Sequence, residues 1–300
     1  MALSVNPQRR AGRGEPVVLL HDLGLTWHSW GRCVELLART YDVFAPTLPG
    51  HWGGPGLPGP VTLTTLLDAV ERQLDEAELD RVHLVGNGFG AWIAAGLARR
   101  GRAGSLTAIA PLGLWHNDPA TAAAVRAELR RRSAVLPLLG LIRNPVAGPM
   151  AQRAALRSLT GRSAPAMLDL CEITRRRAVV TIEAPLHCAV MNALVDTPEF
   201  ARGWHPVIAE SPRTTVITSG RDRLLPRPVL VADPRVHTEH LPEHGHVPML
   251  DDPDLIARAI RDTIGGAPWL PNTRDSTPAP RRPATRLHTT APVRDHGRRT

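Results

Sequence analysis

The chain has 300 residues, of which 43% are hydrophobic, and a formal net charge of +8, which allows one large domain or two small ones. All 36 basic residues are arginine and 29 residues are proline, a bias more typical of a GC-rich genome than of a nucleic-acid-binding surface. The N-terminus lacks a long apolar segment and no apolar run is long enough to span a bilayer, so we expect neither a signal peptide nor a membrane protein.

In the first part of the chain, short apolar runs alternate with stretches whose apolar residues recur at helical spacing. The short runs predict buried strands, and the helical spacing predicts amphipathic helices. Strands are predicted at PVVLLH (16–21), YDVFAP (41–46), RVHLVG (81–86) and SLTAIA (105–110), and helices at WGRCVELLART (30–40), 63–79 and 91–99. This alternation predicts βαβ units around a parallel sheet.

The pattern changes between about Trp115 and His205, where Ala-, Arg- and Leu-rich helical sequence is interrupted by prolines. Strand signals return at TTVITSG (214–220) and VHTEHL (236–241), and a helix is predicted at PDLIARAIRDTI (253–264). We therefore predict a core of residues 15–115 and 206–266, a helical cap of residues 116–205, and disordered ends at 1–14 and 267–300.

The predicted C-terminal tail is rich in Pro, Thr and Arg, and its arginines account for most of the net charge. Such a segment has too little apolar surface to fold, and no aromatic residues interleave the arginines to stack on bases. We therefore expect neither a nucleic-acid nor a membrane partner. Cys33, Cys171 and Cys188 are widely separated without a metal-binding spacing, which predicts free thiols in a reducing, cytoplasmic compartment and no metal. We also expect no cofactor.

The stretch VGNGFGAW lies between a predicted strand and a predicted helix, and Gly86, Gly88 and Gly90 alternate within it. A dinucleotide-binding loop of the form G-x-G-x-x-A is one interpretation, with Ala91 at its end. That interpretation is disfavoured because the loop follows a third or later strand and no acidic ribose ligand stands at the right distance. The stretch instead has the form of a nucleophile turn in which the nucleophile is replaced by glycine.

Five segments in chain order carry a resemblance to a known fold. They are LLHDLGLTWHSW, APTLPGH, HLVGNGFGAW, SGRDRLLP and EHGHVPMLDDPDLIARAI. In this order they resemble the α/β-hydrolase fold superfamily over residues 15–265. The resemblance implies an α/β-hydrolase fold, with a mostly parallel central sheet flanked by helices and a helical cap insertion.

The resemblance also implies a set of site residues. The family presents a serine in a strained G-x-S-x-G turn, and Gly88 occupies that nucleophile position here. Asp222 matches the family's acid and His246 matches its base, although His244 is close enough to be a rival. The oxyanion hole would consist of the backbone amides of Leu23 and Phe89.

The chain departs from the family pattern at two further positions. The first loop usually reads His-Gly, but here it reads His21-Asp22, and Thr47 stands where the family often has Asp. A carboxylate that points into the oxyanion hole would disfavour a developing negative charge. One that faces away would only form local hydrogen bonds. The sequence leaves both orientations of Asp22 open.

Three functions remain open for a site of this kind. The first, which we expect, is chemistry on a small organic molecule without a covalent serine step. In it His246, oriented by Asp222, acts as a general base either on water held in the space that Gly88 frees or on an acidic proton of the substrate.

The second is a catalytically inactive pseudo-hydrolase that binds a small apolar ligand near Trp27, Trp30, Trp52, Trp92 and Trp115. For Trp30 and Trp92, however, core packing is the favoured interpretation. The third is an ester hydrolase that uses water or another nucleophile, with Asn87, Cys188 and Asp22 as candidates.

Overall fold

A computed structural model of the protein describes residues 7–51, 53–57, 59–115, 117–135, 160–161, 194–205, 213–225 and 233–266. Within these ranges seven strands form one sheet in the order β1-β3-β2-β4-β5-β6-β7. The strands are β1 (Gln8–Ala11), β2 (Pro16–Leu20), β3 (Asp42–Pro46), β4 (Val82–Asn87), β5 (Ala103–Ile109), β6 (Arg213–Ser219) and β7 (Val236–Leu241). Only the β1–β3 pair is antiparallel, and all other neighbouring strands run parallel.

Helices cover both faces of the sheet in the described part of the chain. They are α1 (Gly31–Leu37), α2 (Leu63–Glu76), α3 (Phe89–Arg99), α4 (Pro119–Val135), α5 (Pro198–Arg202), α6 (Pro248–Asp251) and α7 (Pro253–Gly265). A 3-10 turn over Trp27–Trp30 precedes α1. None of the described helices combines the length and the apolar content needed to cross a membrane.

Two apolar cores separate the sheet from its helices, and strand β2 shows why both exist. Val18 and Leu20 belong to the core under α2 and α3, whereas Val17 and Leu19 belong to the core under α1 and α7. Successive strand side chains point to opposite faces, so a strand covered on both faces must be apolar at every position. This is why PVVLLH appears as an unbroken apolar run.

Helix α2 shows how local sequence sets the ends of the elements. The Thr62 side chain accepts from the Thr65 amide, and the Thr65 hydroxyl accepts from the Thr62 amide, which forms a capping box. Leu66, Val70 and Leu74 then recur at helical spacing and are buried. The helix ends at Glu76, three residues before the predicted end at position 79.

The predicted α/β fold and its predicted strands and helices are confirmed over the described core. Trp30 and Trp92 are fully buried, as core packing requires. The segment between β5 and β6 contains the helices α4 and α5 among its described residues, while residues 136–159, 162–193, 206–212 and the tail from 267 onward lie outside them. Trp52, Cys171 and Cys188 lie outside them too.

The prediction that residues 1–14 are disordered is wrong for Gln8–Ala11. These residues form the edge strand β1, whose backbone pairs with β3, and Arg10 forms an ion pair with Asp42. An edge strand with exposed polar side chains is held by backbone hydrogen bonds, so it leaves no apolar pattern in the sequence.

Candidate active site

The turn between β4 and α3 keeps the shape of a nucleophile elbow. Gly88 has φ 53° and ψ −114°, a conformation that side-chain-bearing residues adopt only under strain. A Cβ atom on Gly86 would lie 2.4 Å from the backbone of Ala91, and one on Gly90 would lie 2.3 Å from the carbonyl oxygen of Leu20. Strand and helix therefore approach closely enough that both flanking positions require glycine.

The carboxylate of Asp22 fills the space beside this elbow. Strands β2 and β4 are neighbours, and Leu20 pairs with Gly86, so the loops that follow them meet at the same edge. Asp22 Oδ1 accepts a hydrogen bond of 2.7 Å from the Phe89 amide. A Cβ atom on Gly88 would lie only 2.0 Å from that same oxygen. The side chain at position 22 thus stands where a nucleophile at position 88 would otherwise project.

This arrangement resolves the open orientation of Asp22 and corrects one expectation. The carboxylate points into the site, not away from it. The space that Gly88 frees is not left for a water molecule, because Asp22 occupies it.

His246 lies between two carboxylates. Its Nδ1 is 2.8 Å from Asp222 Oδ2, and its Nε2 is 3.0 Å from Asp22 Oδ2. The His246 side chain is 2% exposed, and those of Asp22 and Asp222 are 10% and 11% exposed. The structure therefore places the predicted Asp222 and His246 in contact and adds Asp22 as a third member.

Each carboxylate is held by backbone amides besides the imidazole. Asp222 Oδ1 accepts from the amides of Leu224 at 2.7 Å and Leu225 at 3.0 Å. The amides of Phe89 and Leu23 both stabilise the Asp22 carboxylate. Phe89 is also the first residue of α3, and a helix N-terminus favours negative charge. The Phe89 amide, one of the two predicted to form an oxyanion hole, is therefore already engaged by Asp22.

The two carboxylates determine the charge of His246. Burial disfavours the charged imidazole, but the negative charges and hydrogen bonds of Asp22 and Asp222 outweigh it and raise the pKa of His246 to about 10. Burial raises the pKa of Asp22. The positive charge of His246 and the hydrogen bonds that the Asp22 carboxylate accepts lower this pKa by more, so it lies below the ordinary value. At neutral pH the site holds an imidazolium ion between two carboxylates.

Three residues have supporting roles that the sequence did not predict. His21 Nδ1 donates to the Asp22 carbonyl and its Nε2 accepts from the Leu48 amide, both at 2.8 Å, which fixes the backbone at position 22. Burial, together with the charge of His51, lowers the pKa of His21 to about 3, so this ring stays neutral. Asn87 Nδ2 donates to the His246 carbonyl at 2.8 Å. The chemical types of His21 and Asn87 gave no sign of these contacts.

The third of these residues is Asp251. Its Oδ2 accepts from the amides of Gly245 and Gly161, each at 2.9 Å. Gly245 precedes His246, and Gly161 belongs to the segment between β5 and β6. A single carboxylate oxygen thus links the histidine loop to that segment.

The structure also separates the remaining candidates. His246 rather than His244 contacts both carboxylates. The amide of Asn87 is used in backbone hydrogen bonds, and Cys188 lies outside the described residues. Thr47 is buried, and its carbonyl oxygen accepts from the Gln73 side chain. Among the described residues, no group of three His, Cys, Asp or Glu side chains is arranged to hold a metal ion.

The charge of His246 provides a direct test of this geometry. We expect its imidazole to stay protonated on both nitrogens from pH 7 to 9 in the wild type. Asp22→Asn removes one of the two charges that raise the pKa of His246, so its titration should shift to lower pH. The measurement is a pH titration of the imidazole nitrogens by NMR, with His246→Gln used to assign the signal. A titration near the ordinary value in the wild type would contradict the contact with Asp22.

The strand order and the glycine turn match those of a known family of enzymes. A family model described as "Alpha/beta hydrolase family" matches residues 17–259, which is most of the chain. The chain belongs to the alpha/beta hydrolase family. In the turn between β4 and α3, Gly88 stands at the position that serine occupies in a G-x-S-x-G turn.

Relatives within the alpha/beta hydrolase family are enzymes of several kinds. Epoxide hydrolase EphH of Mycobacterium tuberculosis is 29% identical over 208 residues, which cover 66% of this chain and 93% of that protein. The dihydrolipoyllysine-residue acetyltransferase component of the acetoin cleaving system of Cupriavidus necator is 33% identical over 134 residues, covering 43% of this chain and 36% of that protein.

Solved structures of the alpha/beta hydrolase fold superpose on this chain with low sequence identity. A 2-hydroxy-6-oxo-6-phenylhexa-2,4-dienoate hydrolase from Rhodococcus has a TM-score of 0.65 and 19% identity, covering 86% of this chain and 94% of its own. A bacterial membrane phospholipase A has a TM-score of 0.66 and 22% identity, covering 86% of this chain and 82% of its own. At these identities the likeness shows the fold alone.

Proposed function

We propose that this member of the alpha/beta hydrolase family hydrolyses a small organic electrophile without a serine acyl-enzyme, and that His246, oriented by Asp222, carries the proton. The observation that carries this proposal is the imidazole of His246 held between Asp222 and Asp22 at the elbow. A histidine fixed by one carboxylate and facing the reacting edge is the arrangement that proton transfer requires.

The charge of His246 determines whether the imidazole first donates or first accepts a proton. The sequence suggested a neutral histidine that takes a proton from water at once. With the pKa of His246 raised to about 10, the resting imidazole already carries that proton. It is therefore an acid first, and it becomes a base only after the negative charge of Asp22 is removed.

The substrate class follows from the state of the oxyanion amides. An ester or amide substrate needs free donors for the oxyanion that its carbonyl develops. Here the Phe89 amide is engaged by Asp22 Oδ1 at 2.7 Å. A substrate without a carbonyl at the reacting carbon needs no such donors in its first step. The match with an epoxide hydrolase, which covers 93% of that relative, makes an epoxide the first class to assay.

The second candidate function is ligand binding without catalysis. The same engaged amide favours it, because a pseudo-hydrolase has no need of a free oxyanion hole. Binding would leave an apolar molecule chemically unchanged and would not require the proton of His246. Turnover assays therefore separate the two candidates.

The test is hydrolysis of styrene oxide and of p-nitrophenyl acetate by the wild type, His246→Gln and Asp222→Asn. His237→Gln is the matched control, because His237 is exposed on β7 away from the elbow. We expect the wild type to open the epoxide in preference to the ester, and His246→Gln to lose about 10²–10⁴-fold in kcat/KM. His237→Gln should retain the wild-type rate.

The pH profile provides a second readout. Because His246 must be protonated and Asp22 ionised in the free enzyme, kcat/KM should be flat around neutral pH and fall as pH rises through about 10. A profile that rises through the ordinary imidazole pKa would contradict the resting imidazolium. Binding of styrene oxide without any turnover would overturn the proposal in favour of the ligand-binding candidate.

A further inference from the structure

We infer that Asp22, on the loop after β2, is the nucleophile of this enzyme and that its Oδ2 attacks a saturated electrophilic carbon such as that of an epoxide. This inference rests on the proposed function and adds to it a catalytic residue outside the elbow. It replaces the side chain missing at Gly88 with one supplied from the neighbouring strand.

The two carboxylate oxygens of Asp22 have different surroundings. Oδ1 accepts from the Phe89 amide at 2.7 Å, at the start of α3. Oδ2 lies 3.0 Å from His246 Nε2, and a carboxylate oxygen has two lone pairs, so one hydrogen bond does not exhaust it. The carboxylate is therefore oriented, with one oxygen fixed and the other beside a proton donor.

The position of this carboxylate is that of a nucleophile on the elbow. A Cβ atom built on Gly88 would lie 2.0 Å from Asp22 Oδ1 and 2.9 Å from His246 Nε2. Asp22 thus occupies the place of the missing side chain and contacts the same histidine that such a side chain would contact. Its pKa lies below the ordinary value, so the nucleophile is ionised at neutral pH.

The engaged oxyanion amides select the kind of electrophile. Attack on a carbonyl would place a second oxyanion where Asp22 Oδ1 already accepts from the Phe89 amide. Attack on a saturated carbon develops no oxyanion at that point. The ester that results keeps Oδ1 as its carbonyl oxygen, already placed against the Phe89 amide that will stabilise the next intermediate.

The first step opens the epoxide and forms an ester of Asp22. Asp22 Oδ2 forms a bond to one epoxide carbon as the bond from that carbon to the ring oxygen breaks. The ring oxygen takes the proton from His246 Nε2. The products are a neutral ester of Asp22, a free hydroxyl on the former epoxide and a neutral imidazole.

The second step uses the neutral imidazole as the base. With the charge of Asp22 gone, the pKa of His246 loses one of the two charges that raise it, and Asp222 keeps the ring oriented. His246 takes a proton from water, and the hydroxide adds to Cγ of Asp22. The Cγ–Oδ2 bond then breaks, the leaving oxygen takes the proton back from His246, and a diol departs. Asp22 is left as a carboxylic acid with one oxygen from water, and its proton passes to His246 Nε2, which restores the carboxylate and the imidazolium.

Oxygen transfer from water to Asp22 is the experiment that tests this sequence. Full-length enzyme in excess over styrene oxide is allowed one turnover in oxygen-18 water, and the diol and the arginine-cleaved peptides are analysed by mass spectrometry. We expect the label in Asp22, on the peptide from Gly14 to Arg32, and an unlabelled diol. Tandem fragmentation distinguishes Asp22 from Glu15 on that peptide.

Variants separate the chemistry from folding. Asp22→Ala should take up no label and open no epoxide, while Asp42→Ala, which removes a half-buried carboxylate paired with Arg10 on β1, should behave as the wild type. His246→Gln lacks the base of the second step, so the Asp22 ester should accumulate and raise the intact mass by that of styrene oxide. In that variant water supplies the proton for the ring oxygen. Asp22→Ala/His246→Gln should show no such adduct, and circular dichroism checks that each variant is folded.

Each outcome decides between the two proposals. Turnover that depends on His246 but labels the diol in its first cycle overturns the nucleophile and leaves the proposed function standing. An Asp22 adduct without diol supports the nucleophile and overturns hydrolysis. Neither adduct nor diol across epoxides and primary alkyl halides overturns both.

Discussion

The double variant Asp22→Gly/Gly88→Ser is expected to hydrolyse short-chain p-nitrophenyl esters, whereas Gly88→Ser alone is expected to remain inactive. In the single variant the serine Cβ would lie 2.0 Å from Asp22 Oδ1 and 2.4 Å from its Cγ, so one side chain must be displaced. Overpacking of this kind costs about 1–3 kcal/mol, and it breaks the hydrogen bonds that order the site. The double variant removes the clash, frees the Phe89 amide and provides a serine beside His246 and Asp222.

A matched set of variants isolates the cause of the expected gain. Gly88→Ala, made with and without Asp22→Gly, carries the same strain at position 88 as Gly88→Ser but has no hydroxyl. The two alanine variants should therefore differ in stability by as much as the two serine variants do, and neither should hydrolyse esters. Adding His246→Ala to the active double variant should reduce the rate by about 10²–10⁴-fold. Equal ester hydrolysis by Gly88→Ser with and without Asp22→Gly would show that Asp22 does not occupy the nucleophile position.

His246→Ala is expected to destabilise the protein by about 3–5 kcal/mol, because it leaves two nearly buried carboxylates without the cation between them. The measurement is equilibrium unfolding in urea at pH 6. Adding Asp22→Asn should recover part of the loss, since only one carboxylate then remains. The control is Asp42→Ala, which breaks the exposed pair with Arg10 and should cost at most about 1 kcal/mol.

The pH dependence of this stability difference has a defined sign. The pKa of His246 is raised from 6.5 to about 10, so its contribution is full below about pH 6.5 and is lost as pH rises through 10. The pKa of Asp22 is lowered from 3.8, so its contribution is present above that pH and is lost as pH falls further. The difference between wild type and His246→Ala should be largest between these limits. A difference that grows from pH 7 to 10 would contradict the resting imidazolium.

The fold was predictable because its buried parallel strands leave strong local patterns. PVVLLH is apolar at each position because β2 is covered on both faces, and the glycines of the elbow are required by contacts of 2.3–2.4 Å. Strand β1 was missed because backbone pairing at an edge needs no particular side chains. Asp222 and His246 stood out through their order in the chain, and their catalytic roles stay predictions.

The sequence named Asp22 as one of three candidate nucleophiles, but it left the direction of the Asp22 side chain open. Its direction depends on the His21 ring, which holds the carbonyl of residue 22, and on the Phe89 amide from another element. Both contacts join residues whose types carry no sign of the pairing. A motif at the elbow shows only Gly88, whereas the Asp22 carboxylate follows the neighbouring strand β2.

The pairing of Leu20 with Gly86 also restricts how such a site can evolve. Positions 22 and 88 lie two residues beyond that pair on adjacent strands, so they compete for one volume. Aspartate and serine together require one side chain to be displaced, at a cost of about 1–3 kcal/mol, whereas glycine at either position removes the clash. A lineage that moves its nucleophile between the two loops therefore passes either through a destabilised protein that carries both side chains or through a protein that carries neither.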